Sequence, residues 1–277
     1  MDNTTLEDIR SNANEIEKVK ISYTKIKHFN FLLPKLKYLS CYDSKISTMQ
    51  LDAPELKRLG CVCIHIKILD LNLPKLVELD FSHCKINKIK LYTPNLVNCN
   101  FAYNKIEKLT LDLPKVRKLI CVNSHIEELK LCTPNLEILD CSENDIKHLE
   151  LDLPNLKVLN CYGNKNMKTL NLNLPKLEKL RCNDCNLKSF KLYAPKLKQF
   201  DFSGNQIEIL KFDLPNLEIL ICNTRIIKKL ILNTPKLKTV SCNENKNVEL
   251  HIDPNVLVRL TYLNINLSTG QRLILNK

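Results

Sequence analysis

Apolar positions along this chain fall into one fixed rhythm. After each proline the sequence runs Pro-x-Leu-x-x-Leu-x-Cys-x-x-Asn-x-Ile-x-x-Leu-x-Leu, complete at Leu136, Leu139, Cys141, Asn144, Ile146, Leu149 and Leu151. The prolines, from Pro34 to Pro254, recur every 20 residues with one step of 21 and one of 19. Self-similarity at this period is the signature of a solenoid, whose units bury their apolar faces only by stacking. Alternation within each unit predicts extended segments: Leu39 and Cys41 face inward while Tyr38, Ser40 and Tyr42 face out. The expected architecture is β-rich, with two parallel sheets, little helix and about 12 turns.

The second half of each unit repeats the spacing of the first. Ile46-x-x-Met49-x-Leu51 follows Leu36-x-x-Leu39-x-Cys41 ten residues later. Each coil therefore has two similar edges, with no room for an outer helix. The pattern is that of a leucine-rich repeat. It resembles most closely the short nested subclass called IRREKO repeats, found in bacteria and in large DNA viruses of amoebae. The resemblance covers nearly the whole chain and implies a leucine-rich-repeat solenoid without implying an activity.

Asparagine occupies the turn after the first strand at Asn104, Asn144, Asn164, Asn205 and Asn245, where its amide can serve backbone groups of adjacent coils. Ser44, Cys84, Ser124 and Cys185 replace it elsewhere, which predicts a broken ladder. Proline sits at the opposite corner, where its fixed φ is useful and its missing donor is not needed. Extra residues near Asn166 and in Asn245–Val248 read as turn bulges. Residues 1–13, with Thr4 or Thr5 before Leu6 and Ile9, are expected as an N-terminal capping helix. Residues 14–254 form the solenoid, and 255–277, with only Leu257, Leu260 and Tyr262 of the pattern, a C-terminal cap.

Met1–Lys20 is polar and acidic with no apolar core, and no apolar run reaches the length of a membrane span. These features predict a cytoplasmic chain, of the source cell or an infected host, that is not secreted by a signal peptide. Its 13 cysteines are then expected reduced. Cys41, Cys61, Cys121, Cys141, Cys161, Cys182, Cys222 and Cys242 share one inward column with Phe81, Phe101 and Phe202, which marks a packing position. Cys182-x-x-Cys185 looks like a redox half-site, but the same register holds Cys41 and Ser44. Cys99 stands where leucine is usual, in the coil that carries Phe101, so a small residue makes room for a large one. Cys63, His65, His83 and Cys84 gather four soft ligand types near one turn; ordinary turn and core roles explain them better, and neither a metal nor a cofactor is expected.

The net charge is +12, dominated by lysine. Outward positions of the second sheet carry Lys88, Lys90, Lys108, Lys130, Lys191, Lys211 and Lys229. An anionic partner would suit that face, but grooves for nucleic acid interleave arginine with aromatics, and this chain has no Trp and 6% aromatics. Nucleic acid is therefore not the expected partner.

No glycine-rich phosphate loop is present, and neither His125 nor Cys132 has an acid, base and oxyanion partner set. The reading is a non-catalytic protein-recognition scaffold that uses the outward face of the first sheet to hold an unidentified protein. A structural or particle-associated assembly role, or anion binding through the lysine face, is the alternative. Candidate contact residues are Tyr38, Tyr42, Asp80, Ile120, Ile138, Asp140, Val158, Tyr162, Arg181, Asp201, Ile219 and Ile221. Tyrosine and arginine are common hot-spot types, and clustered exposed isoleucines would form an apolar patch. Tyrosine and isoleucine also simply suit strands.

Overall fold

Each repeat contributes extended segments that bury the residues its alternation marks. In Lys18–Ser22 these are Val19 and Ile21, and in Tyr38–Tyr42 Leu39 and Cys41. The computed structural model describes residues 5–243, 248–265 and 272–275. Both of its compact units, Met1–Leu136 and Glu137–Lys277, are stacks of parallel coils, about 12 turns in all, with very little helix.

In the first unit a helix, Leu6–Ser11, precedes the coils. Thr5 caps it: Asp8 N donates to Thr5 Oγ1 at 3.1 Å and Thr5 N to Asp8 Oδ2 at 2.9 Å. This is the reciprocal arrangement that satisfies two orphan amides, and the hydrogen bonds from Thr5 hold the Asp8 carboxyl below its ordinary pKa. Ile9 is fully buried. The first ladder then runs in parallel register through Lys18–Ser22, Tyr38–Tyr42, Arg58–Val62, Glu78–Asp80, Asn98–Asn100 and Lys118–Ile120.

The second unit continues the same construction with Ile138–Asp140, Val158–Asn160, Lys179–Arg181, Gln199–Asp201, Ile219–Ile221, Thr239–Cys242 and Tyr262–Ile265. The extra residue near Asn166 is absorbed in the turn. Met167, fully buried, takes the inward place that Ile146 holds one coil earlier, and the ladder resumes in register with Thr169 opposite Ser189. Asp253 caps a short helix, Pro254–Leu257. Beyond it Tyr262–Ile265 extends the first ladder and Arg272–Leu275 the second, so strands run on into the segment that the sequence reads as a C-terminal cap. Thr4 and the bulge residues Asn245 to Asn247 lie outside the described residues.

The buried asparagines stitch the coils. Asn104 Nδ2 donates to Phe81 O and Phe101 O, both at 2.8 Å, and Asn205 Nδ2 to Cys182 O and Phe202 O at the same distance. The expectation that serine and cysteine break this ladder is corrected at three positions. Cys84 Sγ reaches Cys61 O at 2.9 Å, Ser124 Oγ reaches Phe101 O at 2.8 Å, and Cys185 Sγ reaches Cys161 O at 3.1 Å. A short side-chain donor in the same place can meet the same carbonyl.

The second ladder has a longer period than the first. The residue before proline alternates between leucine and a small residue: Leu33, Ala53, Leu73, Thr93, Leu113, Thr133. Strand pairing follows this 40-residue beat. His28–Leu32 pairs with Thr48–Asp52, Ile68–Asn72 with Lys88–Tyr92, and Lys108–Asp112 with Glu128–Cys132, each as a separate pair. Leu33 N, Leu73 N and Leu113 N close the pairs on Asp52 O, Tyr92 O and Cys132 O. In the second unit the beat slips once, where Leu153 and Leu174 follow one another, and residues 149–151 there form no strand.

Candidate functional site

The outward face of the first sheet in the Met1–Leu136 unit is not flat. Its two outward columns run Tyr38, Arg58, Glu78, Asn98, Lys118 and Ser40, Gly60, Asp80, Asn100, Ile120. Gly60 removes the side chain from the middle of the second column, and a Cβ built there would meet nothing within 4 Å. A depression of about 580 Å³ results, with Leu59, Leu79 and Cys99 among its lining residues and Tyr38, Arg58, Glu78, Asn98 and Lys118 along one side. A glycine inside a strand marks a place where another chain or ligand can approach the backbone.

The polar residues of the depression are held in place. Arg58 Nε lies 3.4 Å from Glu78 Oε2, and Asn100 Nδ2 donates to Asp80 Oδ2 at 3.2 Å. Asp80 Oδ1 accepts from Ser82 N at 2.9 Å and from its hydroxyl at 2.8 Å. That turn captures the amide two residues on and ends the strand at Asp80. Lys18 Nζ sits 5.4 Å from the centre of the Tyr38 ring. The site presents two cations, Arg58 and Lys118, with carboxylates and amides over strand backbone. Its outward apolar groups are the Tyr38 ring and Ile120, because Leu59, Leu79 and Cys99 turn their side chains into the core.

Three sequence-predicted residues meet here: Tyr38, Asp80 and Ile120. Tyr42 lies at the strand end, exposed, edge-on to Tyr23 at 5.8 Å. In the Glu137–Lys277 unit, Asp140 repeats the Asp80 arrangement, accepting from Ser142 and from Asn160 Nδ2 at 3.0 Å. Asp201 accepts from Ser203 N at 3.1 Å. Tyr162 lies past its strand, its hydroxyl donating to Glu143. The register splits the aliphatic residues into two groups: Ile138 neighbours Val158, and Ile219 lies on the same strand as Ile221. Lys179, Arg181, Gln199 and Asp201 stand between them. Sequence reasoning missed Arg58, Gly60 and Glu78. The available signal was Gly60, which breaks the outward column of a five-residue strand.

The cysteine and histidine group is dispersed. Cys63 and His83 both turn in the left-handed region, at φ 58°, with their amides donating to Ser82 O and Ala102 O of the next coil. The His83 ring stacks on Tyr103 at 4.3 Å, while Cys84 points inward and burial pushes its thiol up to about 12. Among the described residues no group of three or more His, Cys, Asp or Glu is placed to hold a metal ion. Burial likewise raises the thiols of Cys141 and Cys182.

The lysines are distributed between paired and unpaired positions. Lys37, Lys157, Lys198 and Lys238 reach glutamates one coil back, at 2.6, 2.7, 2.8 and 2.8 Å. On the second side, Lys90, Lys108 and Lys229 face Asp70, Glu128 and Glu249. Stacked like charges repel, and this alternation between coils removes the repulsion while adding little net stability.

No family model matches the chain, and no curated protein does. Solved structures do. YopM from Yersinia enterocolitica WA-314 superposes with a TM-score of 0.70 at 19% identity, over 96% of this chain and 69% of that one. The functional domain of InlJ from Listeria monocytogenes, which includes a cysteine ladder, gives 0.63 at 24% identity over 90% of this chain and 61% of that one. Both are leucine-rich-repeat proteins, and the fold here is a leucine-rich-repeat solenoid. Among the described residues no helix is long and apolar enough to cross a membrane.

Proposed function

We propose that this chain is a non-catalytic scaffold that binds another protein through the outward face of its first sheet. The observation that carries the reading is the depression around Gly60, where bare strand backbone, the Tyr38 ring, Ile120 and charges of both signs line one concave stretch of the outward face. Such a mixture suits a protein surface better than a small metabolite, because the polar groups are spread along the columns rather than converging on one point. The outward residues Ile138, Asp140, Val158, Arg181, Asp201, Ile219 and Ile221 of the second unit belong to the same proposal. So do a nested short repeat type akin to that of bacteria and amoeba viruses and a cytoplasmic setting. Replacing Tyr38 and Arg58 together by alanine tests it: melting should be unchanged and partner binding lost. A partner held with undiminished affinity would move the contact elsewhere.

A further inference from the structure

On the second side of the Glu137–Lys277 unit the coils part. Ser189–Tyr193 pairs with Thr169–Asn173 and Ile209–Asp213 with Lys229–Asn233, and no ladder joins the two pairs among the described residues. The coils touch ahead of the opening, where Gln206 N donates to Leu187 O at 2.8 Å. They touch again beyond it, where Asn216 Nδ2 donates to Pro195 O at 2.8 Å. Between these contacts lies a cavity of about 540 Å³.

Both walls are strand edges. Along a strand, the N–H and C=O of successive residues face opposite neighbours. Leu174 N donates to Tyr193 O at 2.9 Å, which assigns the odd-numbered residues of that strand to its own pair and turns the main-chain groups of Phe190 and Leu192 toward the slot. Across it, Leu214 N donates to Asn233 O at 3.1 Å, which leaves those of Ile209 and Lys211 facing back. An unpaired edge is a template for another strand.

The floor and rim define what such a strand would carry. Phe190, half-exposed, lies 5.6, 5.8 and 6.4 Å from the rings of Phe200, Phe202 and Phe212, which are buried. At the rim, Lys188, Lys191 and Lys211 are exposed and make no ion pair among the described residues, whereas nearby Lys198 and Lys228 are held by Glu178 and Glu208 at 2.8 and 2.7 Å. One carboxylate, Asp213, shares this rim, so three cations against one anion, around an aromatic floor between free edges, select an occupant that is extended, acidic and apolar on alternate residues.

We propose that this slot binds an acidic segment of a partner protein in extended conformation. Its backbone pairs with the free edges, its apolar side chains rest on Phe190, and its carboxylates meet Lys188, Lys191 and Lys211. The site is separate from the first-sheet face and does not depend on it.

The test uses the full chain and a panel of labelled, end-blocked peptides of roughly ten residues, long enough for one strand. Glutamate occupies every second position, with Val, Leu or Phe between, and binding is read by fluorescence anisotropy. The expected result is saturable binding that weakens about tenfold or more in Lys191→Glu with Lys211→Glu, disappears when alternate peptide amides are N-methylated, and is unchanged in Gly60→Arg. Absence of saturable binding across the panel overturns the proposal. So does undiminished binding of the N-methylated peptides, which would reveal attraction to charge alone, a control that needs no variant to fold. Equal affinity in a double-lysine variant of unaltered melting temperature overturns it as well.

Discussion

The side-chain amide of Asn104 donates to the main-chain oxygen of Phe81, a coil back, at 2.8 Å. Its carbonyl oxygen meanwhile accepts from Ile86 N at 2.8 Å and Cys84 N at 3.3 Å, so one buried side chain satisfies groups of two coils. Removing it leaves several buried polar groups unpaired, at about 1–3 kcal/mol for each that water cannot reach. Asn104→Ala should lose at least that much in urea denaturation, and Asn104→Ser less, because Ser124 makes the equivalent bond from its own coil. Equal losses for the two variants would contradict the stitching role.

Thr93, Thr133 and Thr234 are buried with no hydrogen-bond partner for their hydroxyls. They stand at the small positions of the 40-residue alternation, where volume rather than polarity is required. Thr93→Val should therefore raise stability, by about 1 kcal/mol, since it removes an unpaired hydroxyl at nearly constant volume. A lower denaturation midpoint would show that the hydroxyl has a bonding role.

Cys99 and Phe101 are both buried in one coil. Cys99→Leu adds volume beside the larger ring and should cost about 1–3 kcal/mol through overpacking. A melting temperature equal to or above the parent would show spare room there.

Eleven cysteines are buried, Cys63 is half-buried and Cys132 is exposed. A thiol reagent should modify Cys132 first and Cys63 next in the native protein, and all 13 only after unfolding. Burial lifts Cys84 and Cys99 from 9.0 to about 12. As pH rises past 9, the unfolded chain loses these protons before the folded one does. The stability contribution of the neutral thiols is whole below pH 9 and falls between there and about 12. Urea midpoints should decline with pH across that window, and Cys99→Ala should flatten the decline.

The first ladder was legible because its inward positions are apolar in every unit, and a twofold side-chain alternation admits one register. Thr5 before Leu6 and Ile9 likewise marked a helix, while the return bond to the Asp8 carboxylate that completes its cap came only with the structure. The pairing of the second ladder was written in the sequence too, in Leu33, Ala53, Leu73 and Thr93, but reading every unit at 20 residues averages it away. The depression was not legible from its rim. Tyr38 and Ile120 lie four coils apart along the ladder, and only stacking brings them to one concavity; Gly60, inside a strand, was the one sign of it in the sequence.

Gly60→Arg is the decisive change, because the position has room for a side chain and normal backbone geometry, yet the new group fills the depression. Immobilised parent and variant should be exposed to lysate of the source cell or its host, at low salt and at about 0.5 M salt, with and without nuclease. A protein partner retained by the parent through high salt and nuclease, and lost from a variant of equal melting temperature, is the expected result. A partner retained equally by Gly60→Arg, or lost to nuclease, would contradict recognition through the first sheet.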